Sequence, residues 1–434
     1  MAGGTFLSQN KVRAGVYINF RTADTSQTAV GERGTAAVAL PICFGPAGLT
    51  AVDSDTDVRA VFGYKAGDAA LLGLREAAKR ANRVLVYRLG GGGKASGTGG
   101  NLTVTAKYGG SRGNALKVTV TAEGELYRVE TWLDGERVDS QLAADIAGLA
   151  GNSWVDFSGS GALAAQAGIV LTGGSDDEIQ DSDWEAYFSA LETADFETFA
   201  VSAEESTVKA AALAFVKKMR EEEGVKIQGV LADYPQADYE GIISVKNGVI
   251  LEDGTEISKE EATAYAAGMT AGAQVNESNT YGRYDGAVDV DERYTNSEIT
   301  AAIQAGEWVF IPRGGGVVVE QDVNTFTSVS ADKGAAFSKN RLVRVMDTIA
   351  NDVKSLFEEK YLGKTGNSAD GRSLFRAELA GYFAQLEELG AIDGFDSQED
   401  LTVLAGNTAD AVVVEAAIRP VDSMEKLYMT VEIQ

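Results

Sequence analysis

The chain has 434 residues, 38 Lys+Arg against 64 Asp+Glu for a formal net charge of −26, one cysteine and no histidine. Without histidine there can be no Ser-His-Asp triad, Cys-His dyad, His-ligated zinc or imidazole proton shuttle, and one cysteine excludes an internal disulfide or a CxxC site. The acidic balance excludes a nucleic-acid partner, whose binding needs a basic face to displace counterions, and every apolar stretch is far shorter than the ~20 residues of a membrane span.

Residues 1–20 lack the charged and apolar regions of a secretory signal, which predicts a chain made and kept soluble in a cytoplasm. Met1–Asn10 is polar and reads as a mobile arm; Gly15–Phe20 reads as a strand with Val16, Ile18 and Phe20 on one face. A second strand covers Thr35–Phe44, with Cys43 as a buried thiol. Helices are expected over 56–63 and 67–81, and Asn82–Leu89 reads as a buried strand. Gly90–Gly100 is dense in glycine and reads as a flexible junction; Ala95 after Lys94 removes the hydroxyl that a phosphate loop needs. From 101 to 172, period-two runs such as Leu102–Thr105, Leu116–Val120 and Tyr127–Leu133 predict an inserted β-domain closed by Gly173-Gly174.

Residues 175–330 alternate helix and strand, predicting βαβ units and a mainly parallel sheet. Capping boxes at Ser182–Glu185 and Ser258–Glu261 mark helix starts. Strands are expected at Phe196–Ser202, Val225–Asp233 and Glu307–Pro312, with a helix over Asn296–Ala305. In the last hundred residues Val343, Met346, Ala350, Val353 and Phe357 trace one face of a long helix. A second helix covers Ser373–Leu389 and ends at Gly390. Strands follow at Ala411–Ile418 and Lys426–Ile433, the latter placing Leu427, Met429, Val431 and Ile433 on one face.

Candidate chemistry is sparse. Asp53-Ser54-Asp55-Thr56-Asp57 begins like a calcium loop, but Val58 and Tyr64 stand where glycine and the bidentate Glu are needed, so it reads as a turn feeding a helix. Asp289, Asp291 and Glu292 read as an exposed acidic loop, and Glu221-Glu222-Glu223 as a solvated helix end. No catalytic, cofactor-binding or metal-binding set can be named. Between Lys333 and Arg344 there are four basic residues, Lys333, Lys339, Arg341 and Arg344, and no acid. Cations at a helix N-terminus oppose the dipole, which makes an external acidic partner a candidate.

Several segments together resemble the tail sheath proteins of contractile bacteriophage tails and phage-like bacteriocin particles. They are Arg13–Phe20, with Ala14 in place of the family's proline; Val319–Thr327; Lys339–Arg341 through Phe357; Arg372–Leu389; and Arg419–Leu427. The resemblance implies an α/β and α+β multidomain fold: an N-terminal arm (1–22), an N-terminal α/β portion (23–92), a β-sandwich insertion (93–174), a subtilisin-like α/β domain without a triad (175–330), and a C-terminal tube-facing domain with a terminal strand arm (331–434). It implies a structural, non-enzymatic subunit that polymerises as a helical homo-oligomer around a tail tube and contracts to drive the tube through the host envelope. Further implied partners are baseplate and tail terminator proteins, with assembly in the bacterial cytoplasm into a virion and neither nucleic-acid binding nor membrane insertion. Val16, Ile18, Phe20, Leu427, Met429, Val431 and Ile433 are then inter-subunit strand residues, and Lys339, Arg341 and Arg344 face the tube. Two alternatives remain at this point: a carboxylate-dependent hydrolase using Asp289, Asp291 or Glu292, and a carbohydrate- or surface-binding module on the β-domain.

Overall fold

The computed structural model describes residues 30–433, together with the backbone of Ala2–Gly4 and Gly15–Tyr17. Its centre is a seven-stranded sheet in the order Glu307–Trp308, Ile242–Val245, Gln228–Ala232, Thr198–Val201, Thr35–Leu40, Arg83–Arg88, Leu49–Val52. Neighbouring strands run parallel except the edge strand Leu49–Val52, which is antiparallel to Arg83–Arg88. These strands are near-continuous apolar runs because helices cover both faces of the sheet. Val38, Leu40, Val84, Val86, Val230, Ile243 and Trp308 face the helices Leu72–Ala78 and Lys259–Gly272. Ala37, Ala39, Leu85, Phe199, Val201 and Leu231 face Asp181–Leu191 and Ser206–Lys217.

Two details of these helices differ from the sequence reading. Ser258 and Glu261 do form a reciprocal capping box, but the box expected at Ser182–Glu185 lies two residues earlier, between Gln180 and Asp183. Helix Lys259–Gly272 is rich in Ala and Gly because it lies close to Leu72–Ala78: a Cβ on Gly268 would come 2.2 Å from the carbonyl oxygen of Ala77.

The central sheet also joins what the sequence divides. Thr35–Leu40 and Arg83–Arg88 pair directly into the layer that holds Thr198–Val201, so residues 93–174 interrupt a single α/β layer. That stretch forms two sheets, one ordered Glu136–Ala143, Leu126–Leu133, Leu116–Glu123, Gln166–Val170 and the other Val155–Gly159, Leu102–Ala106, Ser96–Gly99. Leu102, Val104, Leu116, Val118, Val120, Val129, Leu133 and Ile169 fill the space between them.

The glycine-rich run is not a flexible junction. Gly92-Gly93 pairs with Ser175-Asp176, and Ser96–Gly99 is a sandwich strand. A Cβ at Gly92 would fall 1.9 Å from the Ser175 carbonyl oxygen, and one at Gly97 2.5 Å from that of Val170. Glycine stands there because two backbones meet, not because the chain must bend freely.

The strand expected at Glu307–Pro312 splits. Glu307-Trp308 closes the central sheet, and Phe310–Arg313 turns back as a hairpin with Gly316–Val319. Beyond it, helices Asn340–Leu356 and Ala369–Glu388 pack around Val345, Leu356, Tyr361, Phe375, Leu379, Tyr382, Phe383 and Leu386. The buried positions of the first helix include Leu342, Val345, Arg344, Asp347 and Thr348, a wider set than the predicted face, of which only Val343 is fully buried. The helix is gripped on two sides, and its polar side is locked to the central unit. Arg220 makes a bidentate pair with Asp347 (2.6 and 2.8 Å), and Asn351 bonds both backbone groups of Lys226. Asn340 donates to Asp322 and to the Val323 carbonyl.

Candidate assembly interface

The strand expected near residue 411 is Val412–Ala416, and it pairs with Leu401–Ala405, a strand the sequence reading omitted. The Leu-Thr-Val-Leu-Ala run was the available signal. Among the described residues this two-stranded sheet has no further strand on either edge. One face rests on the C-terminal helices through Leu401, Val403 and Val412, while Leu404, Val413 and Val414 are exposed. Arg376 bonds the Leu401 carbonyl (3.1 Å), which fixes the hairpin to helix Ala369–Glu388.

The last segment continues past this hairpin. Val421 donates to the Ala391 carbonyl and Asp393 to that of Arg419. The strand expected at Lys426–Ile433 is not formed within the subunit: the segment has no regular secondary structure and, among the described residues, no ladder partner. Leu427, Met429, Val431 and Ile433 are 86, 74, 70 and 96% exposed. A segment of alternating apolar residues, bare of backbone partners among the described residues and wet all round, is therefore what the subunit presents to solvent. At the other terminus Gly15–Tyr17 pairs in parallel with Ala2–Gly4, placing Val16 opposite Gly3; Ile18 and Phe20 lie outside the described residues.

The basic cluster is largely neutralised by the chain itself, which corrects the expectation for Arg344. That residue is 1% exposed, donates to the Glu277 carbonyl and lies 3.6 Å from Asp322, so it cannot meet an external tube. Lys339 pairs with Glu425, and Lys333 with Glu240 at 2.7 Å. Arg341 has no carboxylate partner among the described residues. It is half-buried and lines a cleft of about 980 Å³ together with Glu277, Glu320, Gln321 and Glu425.

The acidic candidates form local contacts. Asp289 pairs with Arg293 (2.7 Å), Asp291 accepts from the Gly248 amide (2.9 Å), and Glu292 accepts from the Tyr294 hydroxyl (2.7 Å). Asp57 caps helix Val58–Phe62 through the amides of Arg59 and Ala60, and Asp53 holds the preceding turn through Thr56. Among the described residues no three His, Cys, Asp or Glu side chains gather as a metal site. In doubly wound sheets, ligands bind beyond the carboxyl ends of the strands where the order reverses, here between Leu40 and Val201. On the other side of Leu40 the chain leads into the sandwich: Leu89 and Gly90 donate to the Leu40 and Ile42 carbonyls, and Arg88 bonds the Cys43 and Gly90 carbonyls. Burial, reinforced by Asp176, pushes the Cys43 thiol up to about 11, so it stays protonated at neutral pH.

Four family models match consecutive stretches of the chain. They are described as the tail sheath protein Gp18 domain III N-terminal region (33–89), the phage tail sheath protein beta-sandwich domain (75–177), the phage tail sheath protein central domain (177–325) and the phage tail sheath C-terminal domain (332–434). The chain is 47% identical to a sheath tail protein of Desulfitobacterium hafniense, whose crystal structure aligns over 96% of this chain and 99% of that one with a TM-score of 0.86. A sheath tail protein of Listeria innocua is 36% identical, over 93% and 95%, with a TM-score of 0.83. A protein of the phage-like element PBSX of Bacillus subtilis is 36% identical over the whole of both chains.

Proposed function

Because this chain belongs to the phage tail sheath family, we propose that its subunits are linked by their terminal strands into a helical sleeve around a tail tube. The chain is a structural sheath subunit of a contractile, phage-type particle. The arm Lys426–Ile433 is the observation that carries the linkage: it is apolar on alternate residues, exposed, and without a ladder partner among the described residues. The hairpin Leu401–Ala405/Val412–Ala416 supplies the complementary open edge. Adding a neighbour's strand there completes both ladders and covers Leu404, Val413 and Val414, which is β-augmentation. The N-terminal strand Gly15–Tyr17 is a second linking element.

A link made of extended chain lets subunits slide and rotate without separating, as contraction requires. We assign Arg341, which has no carboxylate partner among the described residues, to the face that meets the tube, and we place baseplate and terminator contacts at the ends of the sleeve. The α/β layer acts as a subtilisin-like scaffold without catalysis; the hydrogen-bonded state of Asp289, Asp291 and Glu292 supports that reading. Assembly takes place in the host cytoplasm.

Deleting residues 426–434, or replacing Val431 and Ile433 with Asp, tests the linkage. Polymers seen by electron microscopy should disappear while the monomer keeps its thermal midpoint, since the arm adds nothing to the subunit's own core. Normal polymers from the truncated chain would refute it.

A further inference from the structure

The C-terminal segment changes character at one residue. Up to Glu425 it is held; from Lys426 onward, among the described residues, it has no hydrogen bond to the body. The Glu425 carboxylate is the last fastening, and four donors converge on it. Lys339 pairs with it, Gln321 donates from 2.7 Å, the Thr280 hydroxyl from 2.8 Å and the Ser423 hydroxyl from 3.2 Å. Its side chain is 10% exposed. Burial works against the charge, but these hydrogen bonds and the lysine hold the carboxyl below its ordinary value, so it is ionised at neutral pH.

The donors come from separate parts of the chain. Thr280 follows helix Lys259–Gly272, Gln321 follows the hairpin strand Gly316–Val319, and Lys339 immediately precedes helix Asn340–Leu356. Thr280 also accepts from the Asp322 amide (2.9 Å), so the seat is itself tied into the buried Asp322–Asn340 network. That helix has no acid in its first turn, and Glu425 brings an anion to the lysine at its start from far along the sequence.

We propose that Glu425 is the fixed root of the arm, a positioning residue that sets where the exchanged strand leaves the body and hence where on a neighbour it can dock. The proposal rests on the strand-linkage reading above. Eight residues, 426–433, at ~3.3 Å each reach about 26 Å from that root. With the carboxylate removed, the last backbone hydrogen bond to the body among the described residues is that of Val421, and residues 422–425 keep only the longer Asp422–Lys339 contact of 3.8 Å. Docking must then order four more residues, and the arm samples a larger volume before it meets its partner edge, so its effective concentration falls. A clamp that orders the root in the free subunit removes that requirement in advance.

The test uses the full-length chain and two variants, E425A and K339M. Hydrogen exchange of the monomer should show the Val421 amide, the last one bonded to the body among the described residues, exchanging about tenfold faster in both, with helix Ala369–Glu388 and the thermal midpoint unchanged. The critical concentration for polymerisation, read by sedimentation, should rise about tenfold. K339M leaves the arm's own sequence intact, so it carries the test if E425A misfolds. Unchanged exchange in both variants would overturn the clamp; so would loosened exchange with an unchanged critical concentration. If the 426–434 deletion polymerises normally, the linkage reading fails, and exchange in the monomer still decides whether Glu425 fixes the root.

Discussion

Replacing Asp347 with Ala should loosen the joint between the central and C-terminal units more than any surface substitution. The Asp347 and Arg220 side chains are 10 and 5% exposed, and the carboxylate takes two bonds of 2.6 and 2.8 Å from the guanidinium. Burial opposes the Arg220 charge, but Asp347 more than compensates and holds the guanidinium firmly protonated. Removing one partner of a buried pair strands the other, at about 3–5 kcal/mol. D347N keeps the shape and one acceptor without the charge, and should cost about 1.5–3 kcal/mol. The double variant R220M/D347L removes both charges and should recover most of the loss, because the gain from pairing two buried ions is largely offset by their desolvation. Chemical denaturation gives the energies; hydrogen exchange across helix Asn340–Leu356 shows whether the loss falls at this joint. A D347A cost below about 1 kcal/mol, or a double variant no better than the single, would refute the argument.

Three further outcomes follow from the same geometry. Gly92→Ala should destabilise the sandwich stem severely, since its Cβ would sit 1.9 Å from the Ser175 oxygen, whereas Gly124→Ala, with open space around it and φ 64°, should cost only about 1–2 kcal/mol of left-handed strain by thermal denaturation. Burial raises the Asp352 carboxyl above its ordinary 3.8, only partly offset by hydrogen bonds from the Gly31 amide and the Tyr382 hydroxyl. The folded chain then binds the extra proton, so this group's contribution is lost as pH rises from that value through its raised one; D352N should gain on the parent over that interval in pH-dependent denaturation. Arg341→Glu should leave stability within about 0.5 kcal/mol yet reduce co-sedimentation with tail tubes, while Arg344→Glu should unfold the chain.

The α/β layer was legible because its strands are apolar runs separated by helical patterns, and Ser258–Glu261 marked a helix start by its own chemistry. The glycine run misled because composition cannot separate glycine that bends from glycine that lets backbones touch; Gly92 and Gly97 do the second against Ser175 and Val170, more than 70 residues away. The long helix misled for a related reason. A single apolar face presumes a single neighbour, whereas Asn340–Leu356 also meets the central unit through Arg344, Asp347 and Asn351, which bond residues that no local spacing connects to them.

The basic cluster shows how far such reasoning reaches. Four cations without a local acid implied an anion from elsewhere, and anions do come from elsewhere, but from Glu240, Asp322 and Glu425 of the same chain. Linear sequence reports an unbalanced charge without reporting which distant segment balances it. The terminal arm is the converse case. Strict alternation over Leu427–Ile433 announces a strand, and a strand needs a ladder and a cover. Its own subunit supplies neither among the described residues, although the arm begins at a root fixed by the Glu425 carboxylate. On the linkage proposed above, a pattern that fits a strand but finds no partner among the described residues of its own subunit is one that the assembled state completes, and the arm's burial is to be sought in the polymer.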